Sequence, residues 1–216
     1  MPGTQLGFDE AVNVTRTGDV WLFRGHTAAD RAIRATTNSP VNHVGMSVVI
    51  EDLPALMWHA ELGRSLPDLW SGVHQRGAQL HDLRGAVIVW ATKYGQRVWL
   101  RQLDCPITRE MEDAVLRTVA LLDGTPFPST ARLVSRWLSG RVPGRRNRRR
   151  NDIDLETAYC AEIVAITYAA MGLLPGNRRP NWYDAGRFWS GDRLDLGGGA
   201  LLGGEIAIDM PSADAA

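Results

Sequence analysis

The stretch Thr157–Leu174, TAYCAEIVAITYAAMGLL, carries one of the chain's two cysteines into a long apolar run. Thr157 suits a helix N-cap, which would set Cys160 in the first turn, where unpaired backbone N–H groups and the helix dipole favour a thiolate. Ile163, Val164, Ile166, Met171 and Leu174 follow with little polar interruption, so the helix is expected in the core, holding the cysteine rigidly. Buried cysteines are mostly inert small hydrophobes, so a chemical role for Cys160 needs partners elsewhere in the chain.

The 216 residues suffice for one substantial core, and a single domain over 1–216 is expected. Basic and acidic residues balance at 24 each, which gives no overall drive toward nucleic acid or an anionic membrane. Cys105 and Cys160 are too few for a disulfide framework, and there is no CxxC pair. The start, MPGTQLGFDEAVN, has neither the basic nor the apolar region of a signal peptide, and no apolar run is long enough to span a bilayer. A cytoplasmic location with reduced thiols is the expectation. Of the eight tryptophans, Trp58, Trp70, Trp182 and Trp189 are candidates to line a groove for an apolar substrate, although large aromatics more often simply pack.

Upstream, GDVWLFR at Gly18–Arg24 alternates apolar residues on both faces, as an interior strand does. HVGMSVVI at His43–Ile50 would place His43, Gly45 and Ser47 on one face and Val44, Met46 and Val48 on the other. After a turn, LMWHAEL at Leu56–Leu62 reads as its antiparallel partner, with Met57, His59 and Glu61 sharing a face. Leu69, Trp70 and Val73 in the following loop are candidates to cover this site. Gly85–Ala91 and Val98–Leu103 read as two more strands, and Thr108–Leu122 as a helix burying Met111, Val115, Val119 and Leu122. A shorter helix is expected over Ala131–Leu138. A basic excursion over 140–156 follows, with Arg141, Arg145, Arg146, Arg148, Arg149 and Arg150 preceding Asp152, Asp154 and Glu156. It lacks aromatic interleaving, so a solvated loop is expected there and no nucleic-acid partner. Leu201–Met210 reads as an edge strand. The glycines near 197–204 fit no phosphate-binding loop.

These pieces can form a thiol site. Cys160 would be the nucleophile and His43 the general base, with His59 or Glu61 orienting the imidazole. The backbone N–H of Cys160, with Tyr159 as a further donor, would stabilise the oxyanion. His43, His59 and Cys160 could alternatively ligate zinc, but they are dispersed and include no close ligand pair, so no metal and no cofactor is expected. His26, His74 and His81 show no partner pattern.

GDVWLF at 18–23, SPVNHVGMSVV at 39–49, LMWHAEL at 56–62 and YCAEIVAITYAAMGLL at 159–174 together resemble the circularly permuted branch of the NlpC/P60 superfamily. These are the YiiX-like papain-like thiol hydrolases, related to lecithin:retinol acyltransferase-like proteins. The resemblance implies an α+β, papain-like fold in which an antiparallel sheet packs against the cysteine-bearing helix. It places the nucleophile on Cys160, the base on His43 and the third polar residue on His59, where glutamate is common in the YiiX-like group; Glu61 remains the alternative orienter. The implied activity is a cysteine peptidase or amidase working through an acyl-enzyme on a small peptide, muropeptide or acyl-lipid. The alternatives are a thioester-forming acyltransferase and a non-catalytic papain-like binding protein. Oligomeric state is not legible.

Overall fold

Strands β2 (Val20–Arg24), β3 (His43–Val48) and β4 (Leu56–Glu61) form the centre of the fold. The structure, a computed structural model, describes residues 4–27, 31, 34, 39–51, 53–126, 151–192 and 194–211, with only the backbone described over 151–158. The three strands are antiparallel, with Phe23 opposite His43, Leu22 opposite Val44 and Met46 opposite Trp58. They are buried almost throughout because side chains on both faces are covered, which is why they read as near-continuous apolar runs.

β5 (Gly77–Asp82) pairs antiparallel with β4, and β6 (Arg97–Arg101) pairs with the other side of β2. β9 (Ile206–Asp209) adds to β6, and β1 (Gln5–Gly7), which leads into α1 (Phe8–Val14), runs parallel to β9. The order β1-β9-β6-β2-β3-β4-β5 is therefore mostly antiparallel. Helix α1 is joined by α2 (Leu83–Thr92), α3 (Arg109–Leu122) and α4 (Asn151–Ala170). Together they make a mixed α+β fold.

The sheet divides the core. On one face Val20, Leu22, Val44, Met46, Trp58 and Ala60 pack with Cys160, Ile163, Val164 and Tyr168 of α4. The Trp58 indole donates to Thr167 Oγ1 at 3.0 Å, tying β4 to that helix. On the other face Trp21, Phe23, Met57 and Leu100 pack with Leu83, Ala86, Val87 and Trp90 of α2 and with Phe8 of α1. Each fully buried side chain of this size contributes about 1.5–3 kcal/mol, so both layers are needed to hold the sheet.

Two buried polar residues close the α4 side. Asp19 accepts from the backbone N–H groups of Arg16 and Leu103, both at 2.8 Å, and Tyr168 donates to the Gly18 carbonyl. The GD pair is thus a structural clamp, and burial pushes the Asp19 carboxyl up against the opposing pull of those N–H groups. Arg101 donates to the carbonyls of Gly203, Phe188 and Leu202, fastening to the sheet the C-terminal turns and β8 (Leu201–Leu202), which pairs antiparallel with β7 (Leu103–Asp104).

Three expectations are corrected, and one strand is added. Gly85–Ala91 is helical, not a strand: Asp82 caps the helix by accepting from Gly85 N at 2.6 Å, and Leu83, Ala86, Val87 and Trp90 follow a helical period. β5 was not anticipated. β9 is flanked by β1 and β6, so β1, not the C-terminal strand, is the edge on that side, with β5 at the other. Helix α4 begins at Asn151, not after Thr157, so Cys160 lies mid-helix. The expected helix at Ala131–Leu138 and the arginines at 141–150 lie outside the described residues.

Candidate functional site

Alternation along three neighbouring strands brings histidines together on the α2 face. His43 on β3, His59 on β4 and His81 on β5 are all buried. His43 Nε2 lies 3.0 Å from His59 Nδ1, and His59 Nε2 lies 2.9 Å from His81 Nδ1. His81 Nε2 in turn lies 3.2 Å from Gln79 Oε1. Gln79 is two residues before His81 and therefore on the same face. The row runs across three strands and ends in an amide. Gly45 makes it feasible: a Cβ there would collide with Met57 Sδ and crowd His59 Cβ.

The other end of the row is open. His43 Nδ1 is buried without a hydrogen-bond partner among the described residues. The ring stacks on Trp90 of α2, centroids 3.9 Å apart at 21°, and Phe23 stands 5.6 Å away. Burial, with His81 as a secondary positive neighbour, pushes the His43 pKa down to about 3. His59 is pushed well below the ordinary imidazole value, by burial first and then by His81 and His43. His81 is also lowered by burial, but Glu61 and Asp68 pull it up, as does the Leu66 carbonyl, while His74 opposes them. Burial thus works against the charged form of all three rings, least one-sidedly at His81.

Of the anticipated site residues, His43 and His59 meet as expected. Cys160 and Tyr159 do not join them. Cys160 is 0% exposed and packs among Val44, Met46 and Trp58, whereas His43 points to Phe23 and Trp90, so the sheet stands between thiol and imidazole. Neighbouring residues on a strand project oppositely, and α4 chose the Val44 face. The mid-helix setting also removes both other elements of the expected thiol site: the helix-end dipole is a feature of the first turn, and the Cys160 N–H is engaged in the helical i→i−4 ladder. Tyr159 is buried beside Cys160 in that helix, in the same apolar layer as Val44 and Met46.

Glu61 shares the face of His59 but does not orient His43. Its carboxylate accepts from the backbone N–H groups of Arg64 and Ser65 and from the Ser65 hydroxyl, capping the turn after β4. Nor do the four tryptophans line a common groove. Trp58 is buried under α4, Trp189 meets Trp99, and Trp182 carries the guanidinium groups of Arg178 and Arg187. Trp70 is 65% exposed, and Leu69 and Val73 beside it are exposed too.

His81 and Gln79 are the residues that sequence reasoning missed. The available signal was the period-two pattern of GAQLHD, in which Ala78 and Leu80 alternate with Gln79 and His81. Among the described residues no three His, Cys, Asp or Glu side chains converge as a metal-ligand set.

Fold and site define an α+β protein with a buried, amide-terminated row of histidines across one face of its sheet. No family model matches the chain and no curated protein matches it. Among solved structures it is similar to that of the metalloprotein YiiX from Escherichia coli O157:H7, at 17% identity and a TM-score of 0.45; the match covers 71% of this chain and 64% of that one. Among the described residues no helix is long and apolar enough to cross a membrane.

Proposed function

We propose that the protein is an enzyme of the hydrolase type, cleaving an amide or ester bond with His43 as general base and His59 as the residue that orients it. One observation carries this reading: the histidine row is closed by Gln79 at one end and left open at His43 Nδ1 at the other. A network kept only for packing gains by satisfying both ends, because an unpaired buried polar atom costs about 1–3 kcal/mol. An imidazole nitrogen with a lone pair and no partner is what a proton-accepting group requires. His43 is buried, so a substrate reaches Nδ1 only when the side chains packed over it part. Small peptides, muropeptides and acyl-lipids are the substrate classes to try, as the resemblance to permuted NlpC/P60 proteins implies.

The ordered motifs favour a second reading, the acyl-enzyme on Cys160 in a papain-like arrangement. In the described arrangement this route requires α4 to repack so that the thiol reaches the α2 face. The two readings separate in one experiment on wild type, His43→Asn and Cys160→Ala, using p-nitrophenyl acyl esters, N-acyl dipeptide amides and muropeptide fragments, with intact mass read during turnover. Loss of 10²–10⁴-fold in His43→Asn with activity kept in Cys160→Ala is the expected result. Loss in both, with an acyl adduct on Cys160, would establish the thiol route. Transfer of the acyl group to an added amine in preference to water would make it an acyltransferase. Folded, substrate-binding protein with no turnover in wild type would leave the binding-protein alternative.

A further inference from the structure

We infer that Gln79 and His81 are positioning residues of the His43 centre: the Gln79 amide oxygen fixes all three rings in the Nε2–H form, and His81 is where a proton accepted at His43 comes to rest. The inference rests on His43 serving as a base, but its first half is a statement about tautomers and can be tested without turnover.

The direction of the row follows from its end. Gln79 Nε2 lies 3.4 Å from both the Glu61 and Gly77 carbonyl oxygens, which turns the amide oxygen toward His81. An amide oxygen only accepts, so His81 Nε2 must donate. A neutral ring has one N–H, so His81 Nδ1 then carries a lone pair and His59 Nε2 must donate to it. The same step repeats at the next contact, where His59 Nδ1 accepts and His43 Nε2 donates. His43 Nδ1 is left with the lone pair at the open end. Reversing any one ring would set two donors or two acceptors face to face, costing at least one buried hydrogen bond.

Proton uptake runs along the same contacts. When His43 Nδ1 binds a proton, its Nε2–H proton passes to His59 Nδ1, and the His59 Nε2–H proton passes to His81 Nδ1. His43 and His59 end neutral, each now protonated on Nδ1, and His81 carries both protons and the single positive charge. Gln79 cannot accept a proton, so transfer stops there. His81 is also the ring that faces acids: Glu61 from β4 and Asp68 from the loop before β5 act on it, with His74 opposing, whereas among the described residues no carboxylate acts on His43 or His59. Asp68 is held in place by Ser71 and by Leu80 N at 2.9 Å, next to His81 in sequence.

The test is long-range proton–nitrogen NMR on the full chain labelled with nitrogen-15 histidine, in wild type, Gln79→Leu and Gln79→Glu. The expected wild-type spectrum at pH 7 has His43, His59 and His81 all protonated on Nε2, with His81 the first of the three to titrate as pH falls. Gln79→Leu should mix the tautomers, and Gln79→Glu should keep them while raising the His81 midpoint by about one pH unit or more, a tenfold gain in proton affinity. An Nδ1–H form at His43 or His59 in wild type, titration of His43 ahead of His81, or unchanged tautomers in Gln79→Leu would overturn the inference. If Gln79→Leu does not fold, Gln79→Glu decides, since an unmoved His81 midpoint overturns it too. The hydrolase reading fails separately, by absence of turnover in a protein that still shows the tautomers.

Discussion

At Gly45 an added methyl group would collide with Met57 Sδ and press on His59 Cβ, both of them buried. Gly45→Ala is therefore expected to cost about 1–3 kcal/mol, as overpacking does, and to pull His59 away from His43. Urea unfolding measures the first effect, and loss of the His59 Nδ1 acceptor signal in nitrogen NMR the second; full stability with an intact row would show that the strands can part freely there. The two cysteines offer a second reading at this scale. Cys105 is partly exposed and Cys160 is not, so a neutral-pH thiol reagent should label Cys105 first even though burial raises its thiol pKa. Labelling of Cys160 ahead of Cys105 in the native protein would favour the thiol route. The pairing of His43 with His59 was legible because strand alternation fixes which residues share a face. The place of Cys160 was not, because nothing in the residues of a helix apolar on most sides tells which face of a doubly covered sheet it will occupy.

Among the elements, α2 and β5 show why local pattern misleads in a two-layer core. GAVIVWA at 85–91 is rich in β-branched residues and reads as a strand, yet the Asp82 cap and the 83, 86, 87, 90 spacing were both present in the sequence. The β5 segment is the converse case: its alternation was visible, but one of its two faces is Gln79 and His81, polar side chains that look like a solvated loop until two more histidine-bearing strands supply their partners. The C-terminal turns depend on β6 in a way no local pattern encodes. Arg101 gives each of three carbonyls a charged donor, with Glu205 3.7 Å away. Burial lowers its pKa and Glu205 raises it, but a guanidinium keeps its charge in proteins, so removing it leaves those carbonyls unmet. Arg101→Leu should lose about 3–5 kcal/mol and expose the 185–203 segment to protease before global unfolding. Cleavage no faster than in wild type would mean that Tyr168, Tyr183 and Phe188 hold the segment by packing alone.

Across the whole molecule the two layers differ in how they respond to protons. The α2 layer lowers the pKa of three imidazoles, His43 to about 3, while an unfolded histidine titrates near 6.5. The unfolded chain therefore binds more protons than the folded one once pH drops below about 6.5, so this layer's stability is present above that pH and is lost as pH falls toward 3. Two carboxyls act in the opposite sense. Asp123 at the end of α3 is raised to about 6 by burial and by Asp68, and Asp19 is raised by burial, so their contributions are present at low pH and lost as pH rises. Between pH 4 and 6 the acids thus offset part of what the histidines lose. Removing one imidazole should subtract one proton from that balance: in His43→Asn the dependence of unfolding free energy on pH between about 5.5 and 4 should flatten by about 1.4 kcal/mol per pH unit. In Asp123→Asn it should steepen over pH 4–6, with a gain in stability above pH 6 from the lost repulsion with Asp68. Urea unfolding at a series of pH values measures both, and a His43→Asn slope equal to that of wild type would mean that the folded protein already carries a proton on His43, which contradicts a ring held neutral against Trp90.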